Sequence, residues 1–177
     1  MDQPQSPSLL RMAGTAVIII VPLIYFIIAM NTGDLLWVSP VFNAQPQTIT
    51  IHCFGEDIYL EHNSSEFDTM VDLVNKNFSG SKRWDSISIS DITYQEYQSH
   101  PQMMVVELTY PKPIRVHSRY KFFSHVDRLI IPLVGRHAQT NAIFGRRAEY
   151  PAAGSFHVGD LSEIKNFLAE NNLCVES

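Results

Sequence analysis

Several common functional signatures are missing from this sequence. Cysteine is scarce, with two in 177 residues, and they form no C-x-x-C pair. The seven histidines include no H-E-x-x-H motif, and neither a glycine-rich phosphate loop nor a G-x-S-x-G turn occurs. The sequence therefore lacks the usual signatures of zinc fingers, zincins, P-loop enzymes and nucleophile-elbow hydrolases. The sequence therefore predicts no metal site and no cofactor, and it favours a protein that is not an enzyme.

The composition is that of a folded domain. Hydrophobic residues make up 45% of the chain, charged residues make up 18%, and the net charge is -5. These proportions exclude a disordered tail and a collagen-like repeat. A length of 177 residues suits a single hydrophobic core.

Residues 12–30 form an uncharged apolar run. As a helix this run spans roughly 28 Å, close to the hydrocarbon thickness of a bilayer. A cleaved signal peptide is the alternative, but its apolar region is usually about 7–15 residues long. Because apolar side chains surround this segment with no polar face, a half-exposed soluble helix is disfavoured. We predict a retained single-pass signal-anchor helix at residues 12–30.

Flanking charges predict the orientation of this helix. Arg11 precedes it, and no Lys or Arg follows until Lys76. Under the positive-inside rule the tail 1–11 faces the cytoplasm and the rest is extracytoplasmic. Trp37 stands where an interfacial anchor is expected. The proline-containing stretch 31–46 is predicted to be a linker.

Residues 47–177 predict an α+β domain, with a mostly antiparallel sheet and two helices packed on one face. Strand 47–53 alternates and turns Ile49, Ile51 and Cys53 inward. One helix carries Phe67, Met70, Val71 and Val74 and begins near Asn63; the second begins at Asp160. Pro132 predicts an edge position or a bulge. Further strands are predicted at Ser86–Ile92, Met103–Tyr110, Pro113–His117, Asp127–Val134, Asn141–Arg146 and Gly154–Val158.

The two cysteines allow two interpretations. Cys53 faces inward and Cys174 follows the last helix, so a disulfide forms if that helix packs over the first strand. Otherwise Cys53 is a small buried apolar residue and Cys174 is a free thiol. The histidines show no ligand spacing and are predicted to be surface residues; His52 falls on the polar face of the first strand.

Charge is segregated along the domain. Residues 31–111 carry three Lys/Arg against eleven Asp/Glu, whereas residues 112–147 carry eight against one. Arginines interleaved with aromatic residues suit anionic ligands. The candidate binding residues in the basic segment are Arg115, Arg119, Lys121, Arg128 and Arg136.

Three interpretations of the basic segment compete. Its charges pair within the fold against the acidic half; or they contact an anionic surface, such as lipid head groups or an envelope polymer; or they bind another membrane protein. Nucleic acid is disfavoured, because the predicted domain is extracytoplasmic.

These observations predict a membrane-anchored, non-catalytic binding or assembly module. One alternative is an exported hydrolase-like enzyme with dispersed His and Asp residues, among which His117, His125 and Asp127 are the close grouping. A structural subunit of a membrane complex is the other alternative.

Overall fold

The computed structural model describes residues 8–80, 82–85, 87–120, 125–147 and 154–174. These residues contain four α-helices, seven β-strands and a short 3-10 helix at Ala138–Thr140. The helices are α1 (Leu9–Thr32), α2 (Ser65–Ser79), α3 (Asp91–Ser99) and α4 (Ser162–Glu170). The strands are β1 (Thr48–Cys53), β2 (Glu56–Leu60), β3 (Arg83–Asp85), β4 (Met104–Ile114), β5 (Val126–Val134), β6 (Ala142–Arg146) and β7 (Gly154–His157). The α+β class is as predicted.

All seven strands belong to one antiparallel sheet with the order β2-β1-β4-β5-β6-β7-β3. The long strands β4 and β5 are neighbours near its centre, and β2 and β3 form its edges. The predicted antiparallel sheet is therefore confirmed. The edge strand β2 was not predicted.

The helices α2 and α4 and the main hydrophobic core share one face of the sheet. Ile49 and Ile51 are fully buried there, as the alternation in β1 predicts. The cap of α2 is Ser64 rather than Asn63, and the Ser64 hydroxyl accepts a hydrogen bond from the backbone N–H of Phe67. At the start of α4, the Asp160 carboxylate accepts one from Ser162 at 2.9 Å. A disulfide joins Cys53 of β1 to Cys174 after α4.

The predicted strand Ser86–Ile92 is wrong over residues 87–92, and Ser86 lies outside the described residues. The residues from Asp91 onward form α3, and the Ser90 hydroxyl caps it by accepting from the backbone N–H of Thr93 at 3.1 Å. This helix covers the sheet face opposite to α2 and α4. It buries Tyr94 and Tyr97 in a second, smaller cluster, whose sheet residues include Val105, Ile130 and Phe144.

Pro132 does not lie in an edge strand, because β5 is paired on both sides. The alternative prediction of a bulge is correct. Val105 lies opposite Pro132, whereas Met104 lies opposite Val134. One residue of β5 between these two pairs therefore has no partner in β4. A bulge accommodates a residue that has no N–H to donate. The strand β4 also joins two segments that were predicted to be separate strands.

The helix α1 is longer than the apolar run, since it begins before Arg11 and ends at Thr32. Its 24 residues rise roughly 36 Å. Almost all of its large apolar side chains are exposed. It is long and apolar enough to span a membrane or to serve as a signal sequence.

The stretch from Asp34 to Pro46 contains no helix or strand, yet it packs on the domain. Phe42 is buried in the main core. Its backbone N–H donates to the Ser79 hydroxyl at 2.9 Å, and its carbonyl accepts from that hydroxyl at 3.0 Å. The Ala44 N–H donates to the Asn75 side chain at 3.2 Å. These contacts attach the stretch to α2.

Candidate functional site

The structure distributes the predicted basic residues along the sheet instead of gathering them on one surface. Arg115 follows β4, beside the start of β5; Arg128 lies within β5; and Arg136 follows its end. The eight steps along β5 cover roughly 26 Å. Arg115 and Arg136 therefore stand at opposite ends of the sheet. Lys121 lies outside the described residues.

Three arginines pair with acidic side chains. Arg128 lies 3.2 Å from Glu107, and Arg136 lies 3.2 Å from Glu96. Arg146 lies 2.6 Å from Asp91. All three acids come from the acidic part of the sequence. Pairing within the fold thus accounts for this portion of the charge segregation.

Arg115 lies instead at the end of α1. That helix ends with Gly33 in the left-handed conformation, φ 65°, which glycine adopts without a Cβ penalty. The Arg115 Nη1 donates to the Gly33 carbonyl at 3.0 Å. Beside it, His117 Nδ1 lies 2.9 Å from the buried Asp34 carboxylate. These two contacts fix the end of α1 to the domain.

We call this region the basal surface: residues 35–41, Lys82 and residues 115–120. It carries three cationic side chains, Lys82, Arg115 and Arg119, that form no salt bridge with any described carboxylate. The Lys82 Nζ donates to the carbonyls of Pro40, at 3.2 Å, and of Phe78. The Arg119 Nε donates to the Tyr120 hydroxyl at 3.0 Å. Their partners are neutral, so no ion pair within the described part of the chain compensates these positive charges.

The pKa of a neighbouring histidine reflects positive charge in this region. Burial alone lowers the pKa of Lys82. The pKa of His125 is also lowered, first by burial and then by the positive charges of Arg115 and Arg147, although Asp34 opposes them. A cationic surface disfavours a further proton. An anion bound there would oppose the contribution of these arginines to the pKa of His125.

Exposed apolar and aromatic side chains accompany these cations. Leu35, Leu36, Val38 and Val41 are all exposed. The Trp37 ring lies 6.0 Å from the Tyr25 ring of α1, and the Trp84 ring stacks on Tyr120 at 6.0 Å. The indole N–H of Trp37 has no hydrogen-bond partner among the described residues. Aromatic, apolar and cationic side chains together are typical of proteins that contact the membrane interface.

Two clefts open on this surface, and they share Ser39 and His117. The larger, about 440 Å³, is lined by residues that include Phe42, Asn43, Ile114 and Arg115. The smaller, about 330 Å³, is lined by residues that include Trp37, Pro40, Lys82, Ser118, Arg119 and Tyr120. Both clefts therefore place cationic groups beside the end of α1.

A second polar arrangement crosses the sheet face under α3, and we call it the polar row. It contains one side chain from each of the five adjacent strands β2-β1-β4-β5-β6. His52 Nδ1 lies 2.6 Å from Asp57, and its Nε2 lies 3.2 Å from Glu107. The Tyr94 hydroxyl of α3 donates to Glu107 at 2.9 Å. In strand order the row is Asp57, His52, Glu107, Arg128 and Arg146.

Charges in the polar row stabilise one another against burial. Burial lowers the pKa of His52, but its bonds to Glu107 and Asp57 outweigh this and the net pKa is raised. Burial raises the pKa of Glu107, but His52, Tyr94 and Arg128 outweigh it and the net pKa is lowered. The pKa of Tyr94 is raised to about 12 by burial and by Glu107. His52, Glu107 and Arg128 therefore compensate one another, as buried ionic groups require, whereas Arg146 pairs with Asp91 of α3 and its Nη1 has no hydrogen-bond partner among the described residues.

The prediction that His52 is a surface histidine is wrong, because only 5% of it is exposed. In the grouping of His117, His125 and Asp127, His117 binds Asp34, and His125 Nε2 lies 3.1 Å from Arg115. Within the described ranges, no cluster of His, Cys, Asp and Glu could hold a metal ion.

The contribution of Lys82 to the basal surface was not predicted, since Lys82 precedes the basic segment of the sequence.

Comparison with known proteins identifies no relative: no protein-family model, no curated protein and no solved structure matches the chain.

Proposed function

We propose that this is a single-pass membrane protein whose extracytoplasmic domain is a non-catalytic binding module, with its basal surface against anionic lipid head groups. The observation that carries the proposal is the position of three cations that form no salt bridge with a described carboxylate. Lys82, Arg115 and Arg119 surround the end of α1, whereas Arg128, Arg136 and Arg146 have acidic partners elsewhere. If α1 spans a bilayer, this end lies at the head groups.

The apolar residues of the basal surface support the same orientation. Leu35, Leu36, Val38 and Val41 would be exposed to water in a soluble domain, but they contact the interface when α1 is inserted. Each basic residue near an anionic leaflet contributes about 1 kcal/mol. Three such residues next to an apolar rim suffice to hold a tethered domain on the lipid surface.

Two further observations support an extracytoplasmic domain. The disulfide between Cys53 and Cys174 requires an oxidising compartment. In addition, Arg11 precedes α1 and no Lys or Arg follows before Lys76, which favours a cytoplasmic N-terminus. Both agree with a retained anchor and an exported domain.

Hydrogen–deuterium exchange of the full chain in nanodiscs tests the proposal. Amides of residues 35–41 and 115–120 should exchange more slowly in anionic than in zwitterionic nanodiscs, and added salt should remove the difference. The double variant Arg115→Glu, Arg119→Glu should lose this protection. Arg136→Glu, at the other end of the sheet, is the matched control and should retain it.

If these amides exchanged equally in both lipid compositions and salt had no effect, charge-dependent contact with lipid would be excluded. Protection of residues 35–41 by a stoichiometric co-purifying membrane protein, in either lipid, would instead favour the role of a subunit in a membrane complex.

A further inference from the structure

The smaller cleft of the basal surface has the chemistry of a phosphate site. Its walls are residues 37–40 on one side and residues 117–120 on the other, with Lys82 between them. Two fixed positive charges, those of Lys82 and Arg119, line a volume of about 330 Å³. No described carboxylate forms a salt bridge with either. The cleft is thus large enough for a head group and carries the charge to hold one.

Both cations retain hydrogen-bond donors. An ammonium group has three donors, and Lys82 uses two of them on the carbonyls of Pro40 and Phe78. A guanidinium group has five donors, and Arg119 uses its Nε on the Tyr120 hydroxyl. The terminal N–H groups of Arg119 have no partner among the described residues. A planar fork of this kind binds two oxygens of one anion.

These donors favour a phosphate over a carboxylate. A phosphate monoester offers three terminal oxygens and carries a charge of about -1.5 to -2 at neutral pH. That charge matches two cations, whereas a carboxylate or a phosphodiester supplies a single negative charge. The monoester can therefore bind Lys82 and Arg119 together.

The surroundings of the cleft favour a lipid as the source of the phosphate. Val38 lines the cleft and is exposed, and Leu36 is exposed close by in the chain. Trp37 lines it too and lies against Tyr25 of α1. An acyl chain can therefore follow α1 while its head group occupies the cleft.

We infer that this cleft is a specific site for a lipid with a phosphomonoester head group, held by Lys82 and Arg119. The inference rests on the proposed function, since it places the cleft at the head-group layer. It goes further because it requires selection between anionic lipids of equal surface charge. General attraction to an anionic leaflet provides no such selection.

The test uses the full chain in neutral detergent micelles. The chain has two tryptophans, so a Trp84→Phe background leaves Trp37, which lines the cleft, as the single reporter. Its emission is followed while phosphatidic acid, phosphatidylglycerol at matched total lipid charge, or inorganic phosphate is added. Phosphatidic acid should give a saturable change, phosphatidylglycerol should bind roughly tenfold more weakly, and inorganic phosphate should have no effect in that range.

Lys82→Met and Arg119→Met should each weaken phosphatidic acid binding by roughly tenfold or more, because each removes a charge-assisted hydrogen bond. Lys165→Met is the matched control, since Lys165 is an exposed lysine on α4. It should bind like the unsubstituted chain. Retention of the disulfide and of the unfolding midpoint shows that each variant is folded.

Equal binding of the two lipids, unchanged by Lys82→Met, would overturn the specific site. If the basal amides were still protected in anionic nanodiscs, the proposed function would survive that result. Saturation by inorganic phosphate would assign the cleft to a soluble anion and overturn the lipid assignment. Loss of the nanodisc protection as well would remove the proposed function together with the site.

Discussion

Arg115 donates a hydrogen bond to the carbonyl of Gly33, a residue 82 positions earlier in the chain. Gly33 ends α1, and its carbonyl lies at the negative end of the helix dipole, where a guanidinium is favourable. The next residue, Asp34, binds His117. The domain is therefore attached to the end of the apolar helix by short contacts, and its basal surface stays beside that end.

The disulfide predicts the compartment of the domain. We expect Cys53 and Cys174 to resist alkylation in denatured native membranes until a reductant is added, because they are oxidised to a disulfide. Labelling of both thiols without reductant would place the domain in a reducing compartment.

The same bond predicts a stability change. Cys53→Ser with Cys174→Ser opens a loop with a sequence separation of 121. In the chain-entropy model the double variant loses about 4–5 kcal/mol in free energy of unfolding. Denaturant unfolding of the full chain in one detergent measures this. A loss below about 1 kcal/mol would show that the bond does not constrain the unfolded chain.

Glu107 and Arg136 should differ in their effects on stability. Glu107 is 6% exposed, and its removal leaves His52 and Arg128 without their shared carboxylate. We expect Glu107→Ala to lower the free energy of unfolding by roughly 3–5 kcal/mol. Arg136→Ala breaks a solvent-exposed ion pair and should cost about 1 kcal/mol or less. Equal losses in the two variants would contradict a buried network.

The polar row also predicts a pH dependence of stability. The raised pKa of His52 contributes stability that is complete below its unfolded pKa, about 6.5, and is lost as the pH rises through the folded value. The lowered pKa of Glu107 contributes stability that is complete above about 4.3 and is lost as the pH falls through its folded value.

The combined contribution is therefore greatest between about pH 4.3 and 6.5. Unfolding midpoints of the full chain measured across pH should show this maximum. His52→Gln should flatten the alkaline side of the curve, while His100→Gln, an exchange at a partly exposed histidine outside the row, should leave it unchanged. An alkaline loss that persists in His52→Gln would assign the effect to another group.

Local patterns predicted the main elements of the fold. Alternation identified β1, helical spacing identified α2 and α4, and turn residues separated most strands. The prediction failed at α3, because Ile87 and Ile89 alternate with serines as in a strand. The helix itself buries two tyrosines and few aliphatic residues, so it lacks a clear apolar stripe.

One missed helix explains the error on His52. The alternation placed His52 correctly on the face opposite to Ile49 and Ile51, but that face was taken to be solvated. Because α3 covers it, His52 and Glu107 are buried together. Their separation of 55 positions leaves no local signal in the sequence.

The sequence predicted the composition of the basic segment but not the positions of its side chains in the fold. Arg115 and Arg128 are close in sequence, yet only their tertiary contacts show that one lies at the end of α1 and the other beside Glu107. Lys82 and Arg119 line the same cleft because of the tertiary fold, and no sequence pattern places them together.

The pKa of His125 provides a local test of the basal surface. It is lowered by burial and by Arg115 and Arg147, so anionic head groups should offset the positive charges and raise it. NMR titration of the full chain should show a higher His125 pKa in anionic than in zwitterionic nanodiscs. Arg115→Gln should raise the pKa in zwitterionic nanodiscs, because it removes one of the repelling charges.

His137 serves as the internal control for that titration. It follows the end of β5, beside Arg136, and its pKa is lowered by burial and then by Arg136. That pKa should change little between the two lipids. A rise at His125 alone would locate the anionic lipid at the basal surface. Equal shifts at both histidines would indicate a general surface potential, and no shift at either would show that the domain stands clear of the bilayer.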